Sequence, residues 1–146
     1  MEGLKGFKDS IMGELKHKEI TEKIIGAAMK VHSKLGNGFP ELIYHRAMKI
    51  QLEEDNVVFQ SECSMPVYYN EIKIGDRRVD FLIENIRCVE LKAINTLEPV
   101  HFAQARNYLE AFNLEVGLLI NFGAVSLIFK RIENPKYNKY LNPINR

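Results

Sequence analysis

Asp80, Glu90 and Lys92 are the residues whose types and spacing suit hydrolytic chemistry. In Val79-Asp80-Phe81-Leu82-Ile83, strand alternation puts Val79, Phe81 and Ile83 on one face and Asp80 with Leu82 on the other. In Cys88-Val89-Glu90-Leu91-Lys92, Val89 and Leu91 share a face, while Cys88, Glu90 and Lys92 share the opposite one. A hairpin centred on Asn85 with a three-residue loop sets Phe81 against Val89, Val79 against Leu91 and Asp80 against Glu90. Carboxylates facing each other across a ladder have Cβ atoms roughly 5 Å apart and repel. A positive group between them relieves this. Lys92 is one candidate, and a hard divalent ion such as Mg²⁺ is a better one, because it takes oxygen ligands and keeps several waters. Such an ion binds a phosphate oxygen and lowers the pKa of a bound water. Lys92 could orient or deprotonate that water, or bind transition-state charge. A solvated hairpin face with a cross-strand ion pair uses the same residues. Against that stands the cost of placing carboxylates on a strand covered on both faces.

The elements that must position these residues follow from periodicity. Ile20, Ile24, Ala28, Val31 and Leu35 recur at helical spacing from Glu19 to Leu35, ended by Gly36-Asn37-Gly38. A second helix starts at Pro40, runs to about Asp55, and turns Ile43, Ala47, Ile50 and Leu52 inward. Its first turn holds Glu41, where the helix dipole favours an anion. Val57 to Tyr69, with Pro66 marking an edge or irregularity, precedes the hairpin arms Ile72 to Glu84 and Arg87 to Lys92. Pro99 to Phe112 reads as a helix with Phe102, Leu109 and Phe112 inward and His101, Gln104 and Tyr108 on an outer polar stripe. Leu114 to Asn121 is the all-apolar run of a central strand, expected parallel to the Glu90 strand, and Val125 to Ile132 is a last edge strand. The order α-α-β-β-β-α-β-β predicts an α/β (mixed α+β) fold, a mixed sheet flanked by helices.

Residues 1–17 read as a polar leader, 18–132 as one domain and 133–146 as a polar, loosely docked tail. The length of 146 residues suffices for a real core. No apolar run approaches a membrane span and the leader has no secretory core, so a cytoplasmic protein without membrane contact is expected. The two cysteines, Cys63 and Cys88, lack zinc spacing and read as reduced hydrophobes. A net charge of +1 speaks against a sequence-blind nucleic-acid binder, so any such contact is local or metal-assisted.

The ordered set of residues resembles the PD-(D/E)XK nuclease superfamily, with its restriction-endonuclease-like α-β-β-β-α-β core. More narrowly, Gly38-Phe-Pro-Glu41-Leu-Ile-Tyr44 is similar to the signature of the GxxExxY proteins. Further matches are Val79-Asp80, Glu90-Leu91-Lys92-Ala93, Pro99-Val100-His101, Gln104, Tyr108-Leu109 and Gly117 to Phe122, together covering roughly residues 20–132. The resemblance implies a phosphodiesterase dependent on Mg²⁺ or Mn²⁺ that acts on nucleic acid, DNA more readily than RNA. It implies Asp80 and Glu90 as main metal ligands joined by the Leu91 carbonyl, Glu41 as an acid reaching the metal directly or through water, and Lys92 as catalytic lysine. Gln104 would support the lysine or the phosphate, while Gly36, Gly38 and Tyr44 would shape the helix entry. Val79 departs from the proline of the superfamily name. The alternative is a catalytically silent binding or assembly module on the same fold, with a homodimer as its expected form.

Overall fold

The computed structural model describes residues 2–141, with side chains from residue 11 onward. The first part of the expected leader and the last five residues of the expected tail therefore lie partly or wholly outside the described residues. Helix α1 spans Glu2–Leu35, beginning well before the predicted Glu19. Lys, Glu and Leu between Gly3 and Lys18 favour a helix, and no proline interrupts them. Gly36 and Gly38, at φ 67° and 110°, then turn the chain. Helix α2 (Glu41–Glu54) follows, capped by Pro40. Strands β1 (Phe59–Tyr69), β2 (Ile72–Ile83) and β3 (Arg87–Lys92) form a meander. Helix α3 (Pro99–Phe112), β4 (Val116–Asn121) and β5 (Ile128–Glu133) complete the order. The sheet runs β1-β2-β3-β4-β5, with β3 and β4 parallel and all other neighbours antiparallel. This is the mixed, helix-flanked sheet expected. Among the described residues, no helix is long and apolar enough to cross a membrane.

Two apolar layers clothe the sheet. On one side α1 and α2 deliver Ile20, Ile24, Ala28, Tyr44, Met48 and Leu52 onto Phe81, Ile83, Val89, Leu91 and Ile120. On the other, α3 delivers Ala105, Tyr108, Leu109 and Phe112 onto Leu82, Cys88 and Leu119. Every residue of β4 is buried, as a strand covered on both faces requires. Pro66 sits on β1, an edge strand. Cys63 and Cys88 are buried and form no disulfide.

Several expectations need correction. The inward line of α2 is Tyr44-Met48-Leu52, and Ile50 is exposed. The Tyr44 hydroxyl sets that phase: it donates to the Gly36 carbonyl at 2.6 Å, and its ring stacks on Phe122 at 4.7 Å. Tyr108 lies in the α3-side cluster rather than on an outer stripe. One residue before Leu109 and one turn before Phe112, it faces the sheet because the buried stripe of α3 is wider than the Phe102-Leu109-Phe112 line. Residues just after β5 are pinned, not loose: buried Asn134 donates to the Leu109 and Leu114 carbonyls at 3.2 and 3.0 Å. Asn138 is held by Asn113 on both sides of its peptide.

Fully buried Asn121, at the end of β4, fixes the chain as it leaves β3. Its Oδ1 accepts from Ile94 and Gly123 N–H at 3.0 Å each, and its Nδ2 donates to the Ile94 carbonyl at 2.8 Å. Gly123 packs so closely on Ile94 that a Cβ there would strike its backbone. Asn121→Ala leaves three backbone groups unmatched and should cost about 3 kcal/mol in urea unfolding. A loss below about 1 kcal/mol would show that this loop is held by other means.

Candidate active site at the fork between β2 and β3

The β2–β3 hairpin adopts the register set by its hydrophobic pattern. Phe81 pairs with Val89, Leu82 with Cys88 and Ile83 with Arg87, leaving Glu84, Asn85 and Ile86 as the loop. Glu84 and Asn85 take left-handed φ of 48° and 59°, and Ile86 N–H closes onto the Ile83 carbonyl at 2.9 Å. Backbone pairing stops at Phe81 and Val89. Continuing that register brings Asp80 opposite Glu90, and there the side chains take over the ladder. Leu91 N–H donates to Asp80 Oδ2 at 2.8 Å, and Asp80 N–H donates to Glu90 Oε1 at 3.1 Å. The strands fork, and each carboxylate bonds the other strand's backbone.

The fork also breaks the expected alternation. Val79 packs with Cys63 and Leu82 on the α3 side, while Phe81 and Ile83 face α1 and α2. The break coincides with Glu62, opposite Asp80 on β1, which takes a left-handed φ of 56°. A strand twisted there no longer presents residues 79 and 81 to one layer.

The charges at the fork act on one another. Burial pushes the Glu90 carboxyl up to about 8, and the Asp80 charge adds to this, against the Asp80 N–H bond and Lys92. Burial likewise raises Asp80, opposed by the Leu91 N–H, His45 and Lys92. Burial and Asp80 raise Glu41, opposed by Lys92 and His45. Electrostatic interaction therefore links Glu41, Asp80, Glu90 and Lys92. Glu41 reaches the cluster because the Gly36–Tyr44 bond fixes the start of α2. Gln104, half-buried on α3, is not joined to it by any hydrogen bond among the described residues.

His45 is a member that sequence reasoning missed. Nearly buried, it sets Nδ1 3.5 Å from Asp80 Oδ1 and Nε2 3.2 Å from Ser61 Oγ, with its ring stacked on Phe81 at 4.6 Å. Its signal was its position four residues after Glu41, on the same helix face. His101, by contrast, serves the helix end: its Nδ1 accepts from Glu98 N–H at 2.9 Å.

The donor set suits a hard divalent cation, since positive charge relieves buried acids and the repulsion that Asp80 exerts on Glu90 and Glu41. Among the described residues, Asp80 Oδ1 and Glu90 Oε2 accept no backbone N–H, the bonds at the fork going to Oδ2 and Oε1. Among the described residues no group of three or more His, Cys, Asp or Glu is disposed to hold a metal ion. The fit is to a two-carboxylate site, completed by water or substrate oxygen, rather than to an all-protein cage.

Residues 18–132 match the sequence model of the PD-(D/E)XK nuclease superfamily. No curated protein matches the chain. Among solved structures, the crystal structure of SSO0001 is similar at a TM-score of 0.52 and 22% identity, over 64% of this chain and 49% of that one. The match thus spans about half the length of SSO0001, and at this identity it speaks for the fold alone.

A carboxyl whose pKa is raised by folding binds more protons in the native state than unfolded, between its ordinary value and about 8. The metal-free protein should therefore lose stability as pH rises through that window. Glu90→Gln keeps an acceptor for Asp80 N–H and should flatten the decline, leaving the variant more stable than the parent at pH 8. Urea midpoints across pH 5–9 would read this, and equal slopes for both proteins would refute it.

Proposed function

The chain belongs to the PD-(D/E)XK nuclease superfamily, and from that premise we propose that it is a divalent-metal-dependent nuclease that hydrolyses phosphodiester bonds, in DNA rather than RNA. The observation that carries the reading is the fork itself, where Asp80 and Glu90 are locked crosswise with Lys92 close by. The two acids satisfy backbone N–H groups at the fork, but burying their charges is costly without a cation. The narrower affinity, to GxxExxY proteins, rests on Gly38, Glu41 and Tyr44, and Tyr44 ties α2 to Phe39 and Gly36 of the preceding turn.

In this reading Asp80 and Glu90, with the Leu91 carbonyl, hold Mg²⁺ or Mn²⁺, and Glu41 reaches it directly or through water. When bound, the ion offsets charge developing at phosphorus and supplies an acidified water. The Leu91 N–H fixes the carboxyl rotamer of Asp80, and the Asp80 N–H fixes that of Glu90, so neither acid reorients as substrate arrives. Lys92, the last residue of β3, has its carbonyl bonded by Phe122 N–H at 2.8 Å. Its ammonium orients the attacking water or holds the anionic oxygens. Gln104 stands on the helix flanking the opening and supports the lysine or the phosphate. His45 holds Asp80 from the side away from Leu91.

A second reading, a nuclease fold that binds nucleic acid or a second copy without turnover, is favoured by one fact: the three acids are not disposed as a ready-made metal cage. The two readings separate in an assay of plasmid, linear and single-stranded DNA, and of RNA, with Mg²⁺ or Mn²⁺. Metal-dependent cleavage is expected, lowered about 100-fold or more by Lys92→Ala and by Asp80→Ala. Full activity in either variant sinks the nuclease assignment. Absence of cleavage, with no metal-linked rise in thermal stability and a stable dimer by light scattering, selects the silent module.

A further inference from the structure

Beyond the fork, β1 and β2 leave β3 behind and continue as a two-stranded arm from Cys63 to Val79, closed by Asn70 and Glu71 in left-handed conformations. Such an arm is long for a simple connection and exposes Tyr68, Tyr69, Ile72 and Ile74. Its three cations differ in what they face. Lys73 pairs with Asp76 at 3.2 Å, and Arg78 pairs with Glu62 at 4.0 Å. Arg77 has no ion pair among the described residues; its guanidinium lies 4.7 Å above the Tyr108 ring. That ring belongs to the cluster of Leu82 and Cys88, and Glu90 is the next residue after Cys88 on that face of β3. Arg77 is therefore a cation held on Tyr108 by stacking and by a hydrogen bond to its hydroxyl, with further N–H groups of its fork left to an anion.

Toward the tip, the same face changes character. Val67 pairs with Gly75 and Tyr68 with Lys73, so Ile74 is an extra residue on β2. With the extra residue on β2, strand periodicity along β1 sets Tyr69 on the face of Cys63, Met65 and Val67, and Met65 is paired with Arg77. Between Met65 and Tyr69 lie Val67 and its partner Gly75, which carries no side chain and where a Cβ would meet open space. Four residues of strand separate Met65 from Tyr69, about 14 Å. A cation stacked on Tyr108, a low floor of Val67 and Gly75 and an exposed aromatic ring at the far end make a combination that suits unpaired nucleic acid, where every base offers a π-face.

We propose that a single-stranded stretch of the substrate lies along the α3-side face of this arm, Arg77 holding a backbone phosphate and Tyr69 stacking a base. This rests on the nuclease reading for its partner and names the substrate class: single strands, or ends with a single-stranded overhang. Arg77 is a positioning residue, set by Tyr108 and feeding the strand toward Asp80 and Glu90.

Fluorescence anisotropy of the full chain with a labelled oligonucleotide, single-stranded or duplex, tests it in Ca²⁺, which takes oxygen ligands as Mg²⁺ does. The wild type should prefer the single strand. Arg77→Ala should flatten the dependence of log K on log salt by about 0.7, one phosphate contact. Tyr69→Ala should weaken single-strand binding about fivefold or more at unchanged slope, with Tyr69→Phe restoring it. Arg131→Ala, on the opposite edge strand, should change neither. An unaltered slope in Arg77→Ala, a silent Tyr69→Ala, or variants that alter only the oligomeric state by light scattering would overturn the proposal, as would a wild type that binds no nucleic acid. Failure to cleave with Mg²⁺ or Mn²⁺ overturns the nuclease reading instead, and leaves these binding results to stand or fall alone.

Discussion

Where β2 and β3 part, two carboxylates do the work that backbone carbonyls do elsewhere in the sheet. Asp80 accepts the N–H of Leu91, and Glu90 accepts the N–H of Asp80, at 2.8 and 3.1 Å. An unpaired backbone donor in a buried strand costs about as much as a lost hydrogen bond, so the fork is tolerable only because acids of this length stand at these two places. The same bonds hold two negative groups closer than their burial favours. Structure and strain come from one exchange, and most of the surrounding sequence can be read as what that exchange requires.

The helices answer two parts of the requirement. Helix α2 is aimed at the fork by Tyr44, whose hydroxyl is bonded to the turn at Gly36 and whose ring is stacked on Phe122. This brings Glu41 within electrostatic range and carries His45 onto Phe81 against Asp80. From the other layer, Tyr108 presents its face to Arg77, and burial with the nearby Glu90 charge raises its hydroxyl pKa. The loop beyond Lys92 is fastened to β4 through Asn121. The lysine therefore ends a strand whose exit is as fixed as its register.

Much of this was legible in the sequence, and the reasons are specific. The hairpin register followed from matching Phe81 to Val89, because a one-residue slip would expose a buried face. The parallel β3–β4 pair followed from a strand–helix–strand run whose last strand is wholly apolar. What escaped was whatever depends on helix phase or local twist. Ile50 is as apolar as Met48, yet the phase of α2 is set from outside by a tyrosine–glycine bond. Val79 changes layers because Glu62 twists the neighbouring strand, and nothing in strict alternation announces that. Asn134 looked like tail because an isolated asparagine gives no sign of the carbonyls it will cap.

Val79 also bears on how the arm and the fork coexist. The residue before the aspartate is proline in the superfamily's name, and the chain departs from it. The Asp80 N–H points across to Glu90 on β3. Val79 itself pairs with Cys63 on β1. A proline here would have no N–H to offer and would remove a donor at the root of the arm, just beyond the irregularity at Glu62. Valine keeps that donor and fills the α3-side layer with a β-branched side chain suited to a strand. Valine at this position therefore suits a β2 that stays paired with β1 from the tip of the arm to the hairpin turn.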